Sequence, residues 1–309
     1  MKVKPTHLVG VGLALFIGVT FGVALEKHYD VGNIVDALRA KHRPIFAPIA
    51  TLTVEDNIPK EFQGKLSMFI LAGQSNMAGR GKVPKSGQNA NSRVFVFGND
   101  YHWRIAVEPI DDPSNQVDKV SEDLDAGFSP ALAFATSLLE RRPDMVIGLI
   151  PCARGGSSIY QWRRSLSENT LYGSCLRRVR AASTMGNVAG VLFFQGEADA
   201  MAPELYQETE LFPNGWGDRF AVLVNDWRND LGLPELPVVF AQIGTHTAPD
   251  VFVNWAIVKE QQGSVQMPFC VMITTDDLAL KDAVHFTSES YQTIGKRFAE
   301  AYLNLMQGQ

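Results

Sequence analysis

Met68-Phe69-Ile70-Leu71-Ala72-Gly73-Gln74-Ser75-Asn76-Met77-Ala78-Gly79-Arg80-Gly81 is the stretch on which the fold turns. Its apolar run is continuous rather than alternating, which suits a strand covered on both faces of a parallel sheet. The run stops abruptly at Gly73. A serine set between Gly-Gln and Asn directly after such a strand stands where a nucleophile is lifted clear of a sheet edge, with backbone N–H groups turned toward a developing anion. The plainer alternative is a tight turn permitted by Gly73 and Gly79, with Ser75 capping the helix that follows. Spacing alone leaves the two level.

Working outward, further apolar runs occur at 94–97, 145–150, 188–194, 238–241 and 269–273, and most are again continuous. Helical periodicity falls between them. Phe220, Leu223, Val224, Trp227 and Leu231 recur at spacings of three and four, as do Tyr291, Ile294, Phe298, Tyr302 and Leu305. Strands and helices alternating over about 240 residues predict one α/β domain with helices on both sides of the sheet. The chemistry of such a domain belongs at the carboxyl ends of its strands.

Three more segments there carry unusual residues. Pro151-Cys152-Ala153-Arg154-Gly155-Gly156-Ser157-Ser158 follows the 145–150 run, and its glycine pair allows a backbone N–H to approach a ligand, or simply forms a strand-to-helix turn. Gln195-Gly196-Glu197-Ala198-Asp199 follows the 188–194 run, and its amide and carboxylates need partners if buried. Asp282-Ala283-Val284-His285 precedes the last helix. A carboxylate three residues before a histidine holds one ring N–H and leaves the other nitrogen free to take a proton. The six histidines lie at 7, 28, 42, 102, 246 and 285, and of His102, His246 and His285 only the last has a carboxylate at this offset.

The chain has 309 residues, 28 Lys plus Arg against 33 Asp plus Glu, and a net charge of -5. With no long basic run, a nucleic-acid partner held by phosphate neutralisation is not expected. Cys152, Cys175 and Cys270 show no metal-ligand spacing; they read as buried packing residues, with one disulfide left open. Residues 8–25 are uncharged, and 18 residues at about 1.5 Å each just reach across a hydrocarbon core. Lys2 and Lys4 precede them, so residues 1–25 read as a signal anchor or, less well, a signal peptide cleaved near Ala24. Either way the rest of the chain is expected on the non-cytoplasmic side, membrane-anchored or secreted. Pro44, Pro48 and Pro59 break periodicity over residues 26–64, which read as a stalk, and residues 65–309 form the main domain.

The four boxes, in this order, resemble the sialate O-acetylesterase-like branch of the SGNH hydrolases, which includes the acetylxylan esterases of carbohydrate esterase family six. The likeness runs from about Ser67 to Leu305. It implies a three-layer α/β/α sandwich on a mainly parallel, flavodoxin-like sheet (the SGNH hydrolase fold), here preceded by the apolar N-terminal helix. It also implies removal of acetyl groups from sugars or polysaccharides without metal or other cofactor. By motif position, Ser75 is the nucleophile, His285 the base and Asp282 its orienting acid. The Ser75 N–H, a Gly155 or Gly156 N–H and the Gln195 side chain would form the oxyanion hole. Gln74, Asn76, Arg80, Arg154 and Glu197 are the candidate substrate contacts, with Glu197 and Asp199 also readable as loop braces. Trp103, Tyr160 and Trp162 are candidates for the mouth of the site. Two positions depart from the family pattern: Phe194 stands where a histidine is usual and Ala198 where a serine is usual. They keep open an inactive glycan-binding relative, and the apolar N-terminus keeps open a membrane-associated lipid esterase. The sugar and the oligomeric state are not legible.

Overall fold

The computed structural model describes residues 58–84, 90–206 and 210–307. The apolar 1–25 segment and nearly all of the 26–64 stretch lie outside these residues. Among the described residues no helix is long and apolar enough to cross a membrane.

The six apolar runs become strands: β1 (Leu66–Gly73), β2 (Val94–Phe97), β4 (Ile147–Pro151), β5 (Gly186–Phe194), β6 (Val238–Ala241) and β7 (Cys270–Ile273). A seventh, β3 (Trp103–Ile105), pairs antiparallel with β2; every other pairing is parallel. The sheet order is β3-β2-β4-β1-β5-β6-β7. Without the β2–β3 pair at its edge this is the doubly wound order in which the first strand lies inside the sheet.

Helices cover both faces. Alternate β1 side chains Leu66, Met68, Ile70 and Ala72 pack with Leu171 and Tyr172 of α3 (Leu171–Ala182) and Trp216 and Trp227 of α4 (Trp216–Leu231). Trp255 and Val258 of α5 (Trp255–Gly263) join the same cluster. Phe69 and Leu71 point the other way, onto Phe134 of α2 (Ala131–Arg141) and Tyr291 and Phe298 of α6 (Ser288–Gln307). This period-two division within a wholly apolar run is the reason β1 shows no polar face.

Strand order positions the site. β1 has β4 on one side and β5 on the other, so the chain leaves β1 toward one half of the sheet and later crosses to the other. Loops that follow β1, β4 and β5 then part around a crevice at their carboxyl ends. Gly73, at φ 129°, lies against the last residue of β5: a Cβ there would collide with the Phe194 backbone. Glycine thus permits the close approach by which the Gln74 N–H donates to Phe194 O at 2.8 Å.

The disulfide that the sequence leaves open is formed by two buried cysteines. Cys152 and Cys175 are bonded to each other, and only Cys270 is free. The bridge ties the segment after β4 to α3. Its sequence separation is 23, for which loop-closure entropy gives about 3 kcal/mol. Reduction, or Cys152→Ser with Cys175→Ser, is expected to lower Tm by roughly 10 °C in calorimetry; an unchanged Tm would contradict this. Cys270 takes no part in it, and burial pushes its thiol up to about 12.

Candidate active site

Ser75 opens α1 (Ser75–Ala78), the single turn that follows β1. It does not cap that turn, since Gln74 holds the cap position. Its Oγ lies 2.9 Å from His285 Nε2. His285 Nδ1 in turn lies 2.9 and 3.0 Å from the two oxygens of Asp282. An ionised carboxylate only accepts, so Nδ1 carries the proton and Nε2 is left to accept from the Ser75 hydroxyl.

His285 follows β7 at the edge of the sheet and must be brought back over β1. Leu280 and Phe286 bridge across the returning loop. Phe286 packs on Phe194 at 5.9 Å and on Tyr291 at 5.9 Å. Asp282 Oδ1 also accepts the N–H groups of Val284, at 3.1 Å, and His285, at 2.9 Å. The short Asp-x-x-His spacing therefore closes a turn as well as placing the ring. Burial opposes ionisation of Asp282, but these N–H groups and the imidazole overcome it and hold the carboxyl below its ordinary value. Burial also lowers His285, against the pull of Asp282, so the ring is neutral at pH 7.

Around this line lies a set of buried braces. Asn76 is fully buried. Its Nδ2 donates to Glu197 Oε1 and, at 3.1 Å, to Val284 O, while its Oδ1 accepts from the Tyr291 hydroxyl at 2.6 Å. One amide thus joins the β1 turn, the β5 loop, the His285 loop and α6. Gln74 is also buried, and its Oε1 accepts from the N–H groups of Gly196 and Ala198. Asp199 accepts from the N–H groups of Ile159, at 2.7 Å, and Phe212, at 3.2 Å.

Several expected roles are thereby corrected. Gln74 and Asn76, expected as substrate contacts, are buried and tie loops to one another, and Glu197 takes the brace role of its two readings. Arg80 donates to Asp123 rather than standing free for a substrate. Gln195 is not an available oxyanion donor. Its Nε2 faces Asp199 Oδ2 at 2.7 Å, Ser157 O at 3.0 Å and Gln74 Oε1 at 3.2 Å, and its Oε1 accepts from Trp216 Nε1 at 2.7 Å. Gly155 is likewise engaged, donating its N–H to Asp123 Oδ2 at 2.7 Å. Gly156 is exposed, and its carbonyl accepts from the Tyr206 hydroxyl at 2.8 Å. Arg154 is half-buried at the same turn.

Trp103 and Trp162 belong to the core rather than the mouth, and Tyr160 is half-buried against Phe212 at 5.3 Å. Phe194 continues β5 into the core, as an apolar residue at that position should. His102 bonds the Asp100 carbonyl at 2.9 Å, and His246 packs on Trp255 at 4.6 Å. Asp123 was missed altogether: no motif marks it, and only folding brings it to Arg80 and Gly155. Among the described residues no cluster of three or more His, Cys, Asp or Glu side chains is arranged to hold a metal ion.

A mostly parallel α/β sheet with its polar loops gathered over the central strands, one of them presenting a hydroxyl to an imidazole, defines a hydrolase of the esterase class. Residues 65–304 match the carbohydrate esterases described as sialic acid-specific acetylesterases, and the chain belongs to that family. It is 31% identical over 255 residues to a probable carbohydrate esterase of Arabidopsis thaliana, covering 77% of this chain and 90% of the relative. A crystal structure of an Arabidopsis thaliana protein is 30% identical, with a TM-score of 0.64, over 78% of this chain and 98% of the other. The fold also resembles a carbohydrate acetylesterase of Xanthomonas citri, at 20% identity and a TM-score of 0.58, over 79% of this chain and 57% of that one.

Proposed function

We propose that this protein removes acetyl groups from carbohydrates by serine catalysis, with Ser75 as nucleophile, His285 as general base and Asp282 as the acid that orients it. One observation carries the reading: the Ser75 hydroxyl and Asp282 carboxylate sit on opposite nitrogens of one imidazole, each within 3.0 Å. Ser75 Oγ attacks the acetyl carbonyl as Nε2 takes its proton. The sugar alkoxide leaves with that proton, and water, activated by the same nitrogen, cleaves the acetyl-enzyme. With Gln195 and Gly155 engaged elsewhere, the oxyanion falls to the N–H groups of Ser75 and Gly156. The Cys152–Cys175 bond supports placing the domain outside the cytoplasm, where disulfides persist. That placement agrees with an N-terminal anchor at residues 8–25.

The test is a panel of p-nitrophenyl esters and acetylated sugars assayed across pH. Acetyl is expected to be preferred over long acyl chains, and acetylated sugars to be hydrolysed. Because burial holds His285 below its ordinary 6.5, kcat/KM should be flat near neutrality. It should fall about tenfold per pH unit only below the usual imidazole range. A preference for long chains would favour a lipid esterase. A kcat/KM still rising above pH 7 would contradict His285 as base.

A further inference from the structure

Three of the loops around Ser75 meet at one carboxylate that the proposed reaction does not use. Asp123 lies between β3 and α2, with its side chain 6% exposed. It accepts from Arg80 Nη2 at 2.9 and 2.8 Å and from the Gly155 N–H at 2.7 Å. Arg80 directly follows the Ser75 turn, and its Nη1 reaches back to Gly79 O at 2.8 Å. Its own carbonyl accepts from Lys281 Nζ at 2.7 Å, one residue before Asp282. A Cβ at position 155 would collide with both the guanidinium and the carboxylate, so the contact has glycine built into it. This is no surface ion pair: both charged ends are largely buried, and the backbone of a third loop is bonded into them.

We propose that Asp123 is a positioning residue for the Ser75–His285 pair, holding the 154–157 turn against the Ser75 turn through Arg80 and the Gly155 N–H. The proposal rests on the reading of Ser75 and His285 as nucleophile and base. Three charges act on the His285 ring: Asp282 from its own turn, Lys281 beside it, and Arg80 from the Ser75 side. Asp282 favours the imidazolium, and the two cations oppose it. Removing the Asp123 charge leaves Arg80 unneutralised and should make His285 harder to protonate. Removing the Arg80 charge should do the reverse. A residue that only packed would set neither direction.

The experiment follows the His285 ring proton by NMR through a pH titration, with the resonance assigned from its loss in His285→Ala. The samples are the wild type, Asp123→Asn, Arg80→Gln and the double variant. No turnover is needed, so the result does not depend on esterase activity. Asp123→Asn is expected to lower the His285 midpoint and Arg80→Gln to raise it, each by on the order of half a pH unit, with the double variant close to wild type. Arg80→Lys keeps the charge and should keep the midpoint. The acidic limb of kcat/KM should move with the midpoints, and kcat of Asp123→Asn should fall about tenfold as the 154–157 turn loosens. Midpoints that do not move, or single variants that move together, overturn the proposal; the Arg80 pair decides it even where Asp123→Asn does not fold. Midpoints that shift as stated in a protein inert toward every acetyl ester would support the clamp and overturn the esterase reading.

Discussion

Ser75→Ala is expected to lower kcat on p-nitrophenyl acetate by about 10⁴- to 10⁶-fold while leaving the protein folded. The size follows from what the hydroxyl does. Without Oγ there is no acyl-enzyme, and the covalent route through which His285 works is closed. What survives is oxyanion stabilisation and binding, which in such sites still exceed solution by about 10³ to 10⁴. Stability should barely change, because Oγ is bonded to His285 Nε2, itself on a half-exposed turn, and alanine suits the first position of a helical turn. Urea unfolding should therefore give a midpoint shifted by less than about 1 kcal/mol. His285→Ala should lose nearly as much activity, and adding it to Ser75→Ala should lose little more, because residues that act as one unit are not additive. A Ser75→Ala protein retaining a tenth of wild-type activity would refute the assignment.

How much of this was legible depends on the range over which each feature is encoded. β1, β2, β4, β6 and the second half of β5 stand out because a strand buried on both faces must be apolar at every position. β7, partly buried at the other edge, is marked by its apolar residues alone. β3 does not stand out, because its three residues, Trp103-Arg104-Ile105, lie at an antiparallel edge with only the first buried. The polar ends of β1, β4 and β5 mark a site because polar groups after apolar strands need partners, yet the sequence does not say which way each group turns. Gln195 shows the difference. Its position beside the nucleophile loop suggests a donor to an oxyanion, but Trp216 and Asp199 take its two ends. Asn76 and Glu197 likewise look like substrate contacts and are instead joined to each other beneath the site. Trp103 and Trp162 carry the composition of a sugar-binding mouth and the burial of a core. The pairing of Asp123 with Arg80 and Gly155 spans segments that no local pattern links, so only the folded chain reveals it.

Those buried carboxyls lead to the second large effect: the protein should lose stability as pH rises, over the same range in which its proposed base becomes active. Glu108, Asp111 and Glu197 are all buried. Burial outweighs their hydrogen bonds and pushes Glu108 up to about 8 and Asp111 and Glu197 to about 7. Glu197 receives the Asn76 amide on Oε1 and, among the described residues, has no partner on Oε2; Asp111 has none on its own Oδ2. In the unfolded chain these groups titrate near their ordinary 4.5 and 3.8. Between those values and 7 to 8 the native state holds more protons than the unfolded one. Their contribution is therefore complete below about pH 4 and is lost as pH climbs through the native values. The expected result is a Tm that falls steadily by calorimetry between pH 5 and pH 8.5, by roughly 10 °C or more in total. Glu197→Gln, which keeps an acceptor for Asn76 and cannot ionise, should flatten part of that slope. A Tm that rises or stays level across the window would show that these carboxyls are ionised at no cost in the native state. His285 works in the opposite sense, since its neutral form grows with pH. The Glu197 carboxyl and the His285 imidazole thus bound the useful pH range from opposite sides: deeper burial of the imidazole would extend it toward acid, and deeper burial of the carboxyl would increase the stability lost at its alkaline end.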